Sequence, residues 1–130
     1  MKIVLLDIDG VFNPIKKLDK PIIVKHPWGL WQIAEENIEF LKFLSENCEC
    51  YWISTWGQES NYLNRYIGIK EFECVYKDSK EQTVKKFTKP IDIIIDDELE
   101  LPLTLHINPD SMLGLTEKER EIIYEYICNE

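Results

Sequence analysis

The chain opens on an apolar run, Ile3 to Leu6, that ends abruptly at Asp7. Asp9 follows two positions on, and Gly10 then breaks the pattern. A short aliphatic run bounded by turn formers reads as a buried strand. Strands covered on both faces belong to parallel sheets flanked by helices. The two carboxylates then fall at the strand's C-terminal edge, where open α/β sheets bind ligands, and Gly10 lets the chain turn sharply away. Aspartate is also a plain turn former, so the pair gains chemical meaning only from what the rest of the chain sets beside it.

Four further apolar runs alternate with helical patterns. Residues 34–46 carry Ala34, Ile38, Leu41 and Leu44 at helical spacing. Cys48–Ile53 reads as a second strand, residues 58–67 as a short helix with Tyr62, Leu63, Tyr66 and Ile67 as its stripe, and Glu73–Tyr76 as a third strand. Ser79 with Gln82 three residues on fits a capping box and opens a helix that turns Val84 and Phe87 inward and ends before Pro90. Ile91–Ile95 and Leu103–Ile107 complete the strands. Thr116 with Glu119 is a second capping box, opening a helix whose face is Ile122, Ile123, Tyr126 and Ile127. Alternation of this kind implies parallel pairing through crossovers. The expected fold is a three-layer α/β sandwich with a five-stranded, mainly parallel sheet, formed as one domain over residues 1–130.

Composition fits that size. At 130 residues and 45% hydrophobic content, one core that buries roughly two-thirds of the chain's surface is expected. The N-terminal apolar run is too short for a signal peptide, and no run approaches the ~20 residues of a membrane span. Cys48, Cys50, Cys74 and Cys128 form no Cys-x-x-Cys pair and stand with only two histidines, which supplies no tetrahedral zinc set. Reduced cysteines and a cytoplasmic location are expected. The net charge of −9 disfavours binding of duplex nucleic acid through bulk electrostatics. Within 16–25, however, Lys16, Lys17, Lys20 and Lys25 face only Asp19. That segment reads either as a solvated loop or as a local attractor for phosphate.

Reactive groups recur at the strand ends. Asp7 and Asp9 follow the first strand, Ser54 and Thr55 the second, and Asp96 and Asp97 the fourth, while Lys80 lies on the first turn of a helix. In a parallel sheet these ends share one edge. The set suits phosphoryl transfer: a carboxylate can attack phosphorus, Mg²⁺ takes oxygen ligands while keeping waters, and a hydroxyl and a lysine can hold the phosphoryl oxygens. A cation on a first helical turn opposes the macrodipole, so a neighbouring anion is expected for Lys80. Lys77 competes for the same role. Adjacent Asp96 and Asp97 beside a buried strand repel each other unless a cation is near.

Asp7-Ile8-Asp9-Gly10, the strand ending in Ser54, helix-borne Lys80 and Ile93-Ile94-Ile95-Asp96-Asp97 together resemble the four ordered motifs of the haloacid dehalogenase (HAD) superfamily, over nearly the whole chain. More narrowly, Asn13-Pro14, Trp52-Ile53-Ser54-Thr55-Trp56-Gly57, Glu98, Asn108-Pro109 and Gly114-Leu115-Thr116 resemble the small HAD domains of "Swiss Army Knife" RNA-repair proteins and their stand-alone phage and bacterial relatives. The resemblance implies a Mg²⁺-dependent phosphatase that works through an aspartyl-phosphate. Asp7 would be nucleophile and metal ligand. Asp9 would be general acid and then base, with its main-chain carbonyl on the metal. Ser54 would bind a phosphoryl oxygen, and Lys80 would stabilise nucleophile and phosphoryl group. Asp97 would be the direct metal ligand, with Asp96 beside it or one shell out.

Family caps are inserted between these motifs, and the intervals here leave no room for a large one. Residues 10–31 read as a short, irregular basic flap in which Pro21–Lys25 forms one arm of a small hairpin. Gly10, Thr55, Trp56, Lys16 and Lys17 are the expected substrate-facing set, with Trp28 and Trp56 as candidate stacking platforms for bases and Trp31 and Trp52 as core. The expected substrate is a nucleic-acid end or another macromolecular phosphate. The alternatives are a small-molecule phosphatase or nucleotidase, and a non-catalytic scaffold for a phosphorylated partner.

Overall fold

The computed structural model describes residues 1–99 and 105–129. Its strands are β1 (Lys2–Leu6), β2 (Ile22–His26), β3 (Gly29–Ile33), β4 (Cys48–Trp52), β5 (Glu73–Cys74), β6 (Ile93–Ile95) and β7 (Leu105–Ile107). Its α-helices are α1 (Glu35–Asn47), α2 (Asn61–Ile67), α3 (Lys80–Lys86) and α4 (Glu117–Cys128). Five strands form one sheet in the order β5-β4-β1-β6-β7, and every pairing in it is parallel. No large cap interrupts the chain.

Strand alternation divides the core. Val4, Leu6, Cys50, Trp52, Ile93 and Ile95 pack with Leu41 and Leu44 of α1, Leu63 of α2 and Ile123 of α4. Ile3, Leu5, Tyr51, Ile53 and Ile94 gather instead with Val84 of α3 and with Phe87. Burying a side chain of this size contributes about 1.5–3 kcal/mol, and β1 and β6 bury almost every position, which fixes their depth and register.

Residues 10–31 are more ordered than the sequence suggests. β2 and β3 form an antiparallel hairpin, with Val24 opposite Trp31 and Ile22 opposite Ile33. Val24, Trp31 and Ile33 are buried, whereas Ile23, Lys25 and Leu30 face outward. The alternation is clear once both arms are known. It is hidden in sequence by Pro27 in the connecting turn and Gly29 at the start of β3.

Other boundaries shift for local reasons. The segment expected as one helix over 58–67 starts as a 3-10 turn, Gly57–Ser60, because Gly57 has φ +63° and its N–H donates to the Ser54 carbonyl at 3.0 Å. β6 begins at Ile93 rather than Ile91, since the Asp92 carboxylate takes the Ile3 N–H at 2.8 Å. β5 keeps two residues of the expected four. Residues 103 and 104 of the expected last strand lie outside the described residues. In α4 the buried face is Ile123 with half-buried Tyr124 and Ile127, while Ile122 and Tyr126 are exposed. Tyr124 packs edge-on to Phe40 and Phe43 of α1, and that contact rotates the helix away from the face expected. Among the described residues no helix is long and apolar enough to cross a membrane. None of the four cysteines is in a disulfide.

Candidate active site

The chain leaves β1, runs outward through β4 and β5, then returns to the other side of β1 with β6 and β7. Strand order therefore reverses at β1, and the crevice beyond the carboxyl ends at such a point is where open sheets bind ligands. A cavity of about 790 Å³ lies there, lined among others by Asp7, Asp9, Gly10, Thr55, Lys80 and Asp97.

Asp7 continues β1 and is held in line with it: its N–H donates to the Ile95 carbonyl at 3.1 Å. One carboxylate oxygen accepts the Ile8 N–H at 2.8 Å, and the other accepts from Lys80 Nζ at 2.7 Å. Lys80 Nζ also donates to Asp96 at 2.7 Å and stands 3.8 Å from exposed Glu98. The expected anion beside this first-turn lysine is thus a pair of buried carboxylates. Ser79 Oγ caps α3 by accepting the Gln82 N–H, which fixes where the helix starts and so where Lys80 points. Lys77, the competitor, lies along a separate cavity of about 270 Å³ with Tyr51, Thr83 and Phe87.

Asp96 is fully buried and its second oxygen accepts the N–H groups of Glu98 and Leu99 at 2.9 and 2.7 Å. It is committed to Lys80 and to its own turn. Asp97 differs. Its Oδ1 is buried without a hydrogen-bond partner, and its Oδ2 abuts Gly10, where an added Cβ would lie within 2.2 Å of it. With φ +79° as well, that position accepts only glycine without strain. Asp7, Asp96 and Asp97 each bring one carboxylate oxygen within 4.8 Å of the others. An orphaned buried carboxylate oxygen is costly unless something cationic meets it, and hard oxygen donors at this spacing fit a divalent cation such as Mg²⁺. Asp97 has an uncommitted oxygen, whereas three of the about four acceptor sites of Asp96 are already taken.

The charges follow from that geometry. Burial pushes the Asp7 carboxyl up to about 7, against the opposing pull of Lys80. Burial also acts to raise Asp96, but Lys80 and the Leu99 N–H outweigh it and hold that carboxyl below its usual range. Asp97 is raised by burial and then by Asp96. Burial disfavours the Lys80 cation, yet Asp7 and Asp96 hold it protonated well above the ordinary lysine range.

The remaining expected site residues divide. Thr55 reaches the cavity wall. Ser54, expected to reach the substrate, is buried and does not line the cavity; its Oγ accepts the Trp56 N–H at 3.2 Å. Lys16 and Lys17 are exposed, and Ile15 rather than either lysine lines the cavity. Trp56 is not an open stacking platform. Its indole N–H donates to Asp9 Oδ2 at 2.8 Å, and its ring packs against His26 and Trp31. Trp28 is exposed, while Trp31 and Trp52 are buried. Asn13 was visible only as part of a motif; in the structure its amide donates to Asp9 Oδ1 at 2.9 Å.

Comparison with protein-family models, with curated proteins and with solved structures finds no match. The functional reading therefore rests on the residues and their geometry.

Proposed function

We propose that this protein is a Mg²⁺-dependent phosphatase of the HAD type, built as a three-layer α/β/α sandwich and acting through an aspartyl-phosphate on Asp7. One observation carries the reading: Asp7 stands at the sheet's topological switch point, held by Lys80 and with a carboxylate oxygen within 4.8 Å of one from Asp97. The four-motif resemblance, carried by the same residues, points the same way.

Asp7, Asp97 and the main chain at Asp9 would hold the ion, which when bound neutralises the nucleophile and the phosphate dianion. Asp7 attacks phosphorus, and the P–O bond to the leaving group breaks. Asp9 gives its proton to the departing oxygen. Water then attacks the acyl phosphate, Asp9 takes the water's proton, and inorganic phosphate leaves Asp7 as a carboxylate. Thr55 and Lys80 supply donors to the phosphoryl oxygens. We favour a phosphate at a nucleic-acid end or on another macromolecule, because among the described residues no cap closes the cavity and a lysine-bearing loop adjoins it. A small phosphorylated metabolite is the second reading, favoured by a cavity volume ordinary for small ligands.

The direct test is hydrolysis of an aryl phosphate, a 3′- or 5′-phosphorylated oligonucleotide and a sugar phosphate with Mg²⁺ and with chelator. Turnover that needs Mg²⁺ and falls at least ~10³-fold in Asp7→Asn, as expected for loss of a nucleophile, supports the proposal. Turnover by Asp7→Asn at the wild-type rate refutes the covalent mechanism.

A further inference from the structure

Asp9 is gripped from two sides by Asn13, which follows β1, and Trp56, which follows β4, and both rest on the β2–β3 hairpin. Trp56 donates to Oδ2 at 2.8 Å, and Asn13 donates to Oδ1 at 2.9 Å. Neither donor is loose. The Trp56 ring lies 4.9 Å from His26 of β2 and 5.6 Å from Trp31 of β3, both contacts edge-on. His26 and Trp31 are themselves 4.4 Å apart. The Asn13 side-chain oxygen Oδ1 accepts the backbone N–H of Gln32 in β3 at 3.0 Å. The Gln32 side chain ties down the loop beyond, donating to Pro14 and Lys16 carbonyls and accepting from the Leu18 N–H.

A carboxylate has about four acceptor sites. Two are used by the clamp, one on each oxygen, so capacity remains toward the cavity that Asp9 lines. The clamp therefore fixes the plane of the carboxylate without blocking it. Asp9 is otherwise an exposed side chain, and an exposed aspartate samples several rotamers. Acid–base catalysis requires the proton-bearing oxygen to stay within hydrogen-bond reach of the reacting group, and small misplacements cost rate steeply.

We infer that Trp56 and Asn13 are positioning residues that orient Asp9 for proton transfer, and that the β2–β3 hairpin is the scaffold holding both. This inference rests on the phosphatase reading. It assigns the hairpin a function apart from substrate contact: the aromatic cluster of His26, Trp31 and Trp56 stiffens an acid–base group across 47 residues of sequence.

The test is a double-mutant cycle read on two leaving groups. Trp56→Phe keeps an aromatic ring against His26 but removes the N–H. General acid–base groups are worth ~10²–10⁴-fold, and misorientation should forfeit part of this. We expect kcat/KM to fall by about tenfold on an alkyl phosphate and by less than about threefold on 4-nitrophenyl phosphate, whose leaving group needs little protonation. Asn13→Ala should give the same pattern. In an Asp9→Asn background, adding Trp56→Phe should change kcat/KM on neither substrate, because coupled residues are non-additive. A measurement on the Trp56 indole N–H resonance needs no Trp56 variant: it should move upfield in Asp9→Ala as its acceptor is lost. Equal losses on both leaving groups, full additivity with Asp9→Asn, or an unmoved indole resonance would overturn the positioning role while leaving the phosphatase intact. Wild-type protein that hydrolyses neither phosphate with Mg²⁺ removes the phosphatase reading and this role with it.

Discussion

Asp7 and Lys80 show how a site can be costly to the fold that carries it. The Asp7 carboxyl is buried and raised to about 7, whereas an unfolded chain ionises it near its ordinary value, so from about pH 4 to 7 the unfolded state holds fewer protons at this position. By linkage its contribution to stability falls as pH rises through that window and levels off above it. Asp96, held low by Lys80 against its burial, has the opposite sign and loses its contribution as pH falls. Asp7→Asn mimics the protonated form. In chelator it should melt above wild type at pH 8, with the gap closing toward pH 5; a gap independent of pH would contradict the assigned cause. Lys80→Met should do the reverse, because it leaves two buried carboxylates without their cation. Breaking a buried pair in this way costs about 3–5 kcal/mol. The loss should be greatest at pH 8 and shrink in acid, where Asp7 can take a proton, and melts at the two pH values check it. Much of this was legible in sequence. Asp7, Lys80 and the adjacent Asp96 and Asp97 stood out as charges in places where charges need partners. The resemblance gave Asp97 rather than Asp96 as direct metal ligand; that Asp96 accepts two backbone N–H groups besides Lys80, while Asp97 Oδ1 accepts none, was not legible.

At the scale of elements, the strands that bury both faces were the readable ones, since unbroken aliphatic runs leave few alternatives. Elements stabilised by polar contacts were not. α2 presents most of the expected apolar stripe, with Leu63 buried and Tyr62 and Ile67 packed against the core, but it also buries Asn61 and Asn64 while Tyr66 is 56% exposed. Asn61 exchanges two hydrogen bonds with the backbone of Phe72. Asn64 accepts from Trp52 Nε1 at 2.9 Å and donates to the Lys70 carbonyl at 2.8 Å. These amides pin the return loop to β5, and no periodicity rule reports an amide that is used as a bracket. One arm of the hairpin, Pro21–Lys25, was legible, but its partner arm and register were not, because register depends on cross-strand partners and not on either arm alone. Asn64→Ala leaves the Trp52 indole N–H buried and unpaired, which costs about 1–3 kcal/mol before the second bond is counted. Chemical denaturation should show that loss as a lower midpoint with an unchanged slope. A midpoint within error of wild type would mean that water reaches the indole.

For the whole molecule, an acidic body surrounds a cluster of three carboxylates, and a lysine-bearing loop adjoins it. A cation that binds only the native state raises stability by mass action, so saturating Mg²⁺ should raise the melting temperature of wild type and do so less in Asp97→Asn. No shift in wild type, with activity intact in chelator, would reject the metal site. The loop supplies the last prediction. Lys16, Lys17, Lys20 and Lys25 project from the loop and hairpin, all exposed and none lining the cavity. Their reach is therefore to parts of a substrate outside the cavity. A polymer offers neighbouring phosphates there; a small aryl phosphate offers nothing beyond its reacting group. Replacing all four with Gln should weaken binding of a phosphorylated oligonucleotide while leaving KM for the aryl phosphate within about twofold, as expected where no phosphate contact is lost. Each contact removed should flatten the logarithmic salt dependence by about 0.7 for a single strand. The net charge of −9 opposes polymer binding at long range, but at 0.15 M salt screening acts over about 8 Å, so the lysines nearest the phosphates govern the contact. Equal losses on both substrates, or an unchanged salt slope, would assign the lysines to solvation and the cavity to a small phosphorylated molecule.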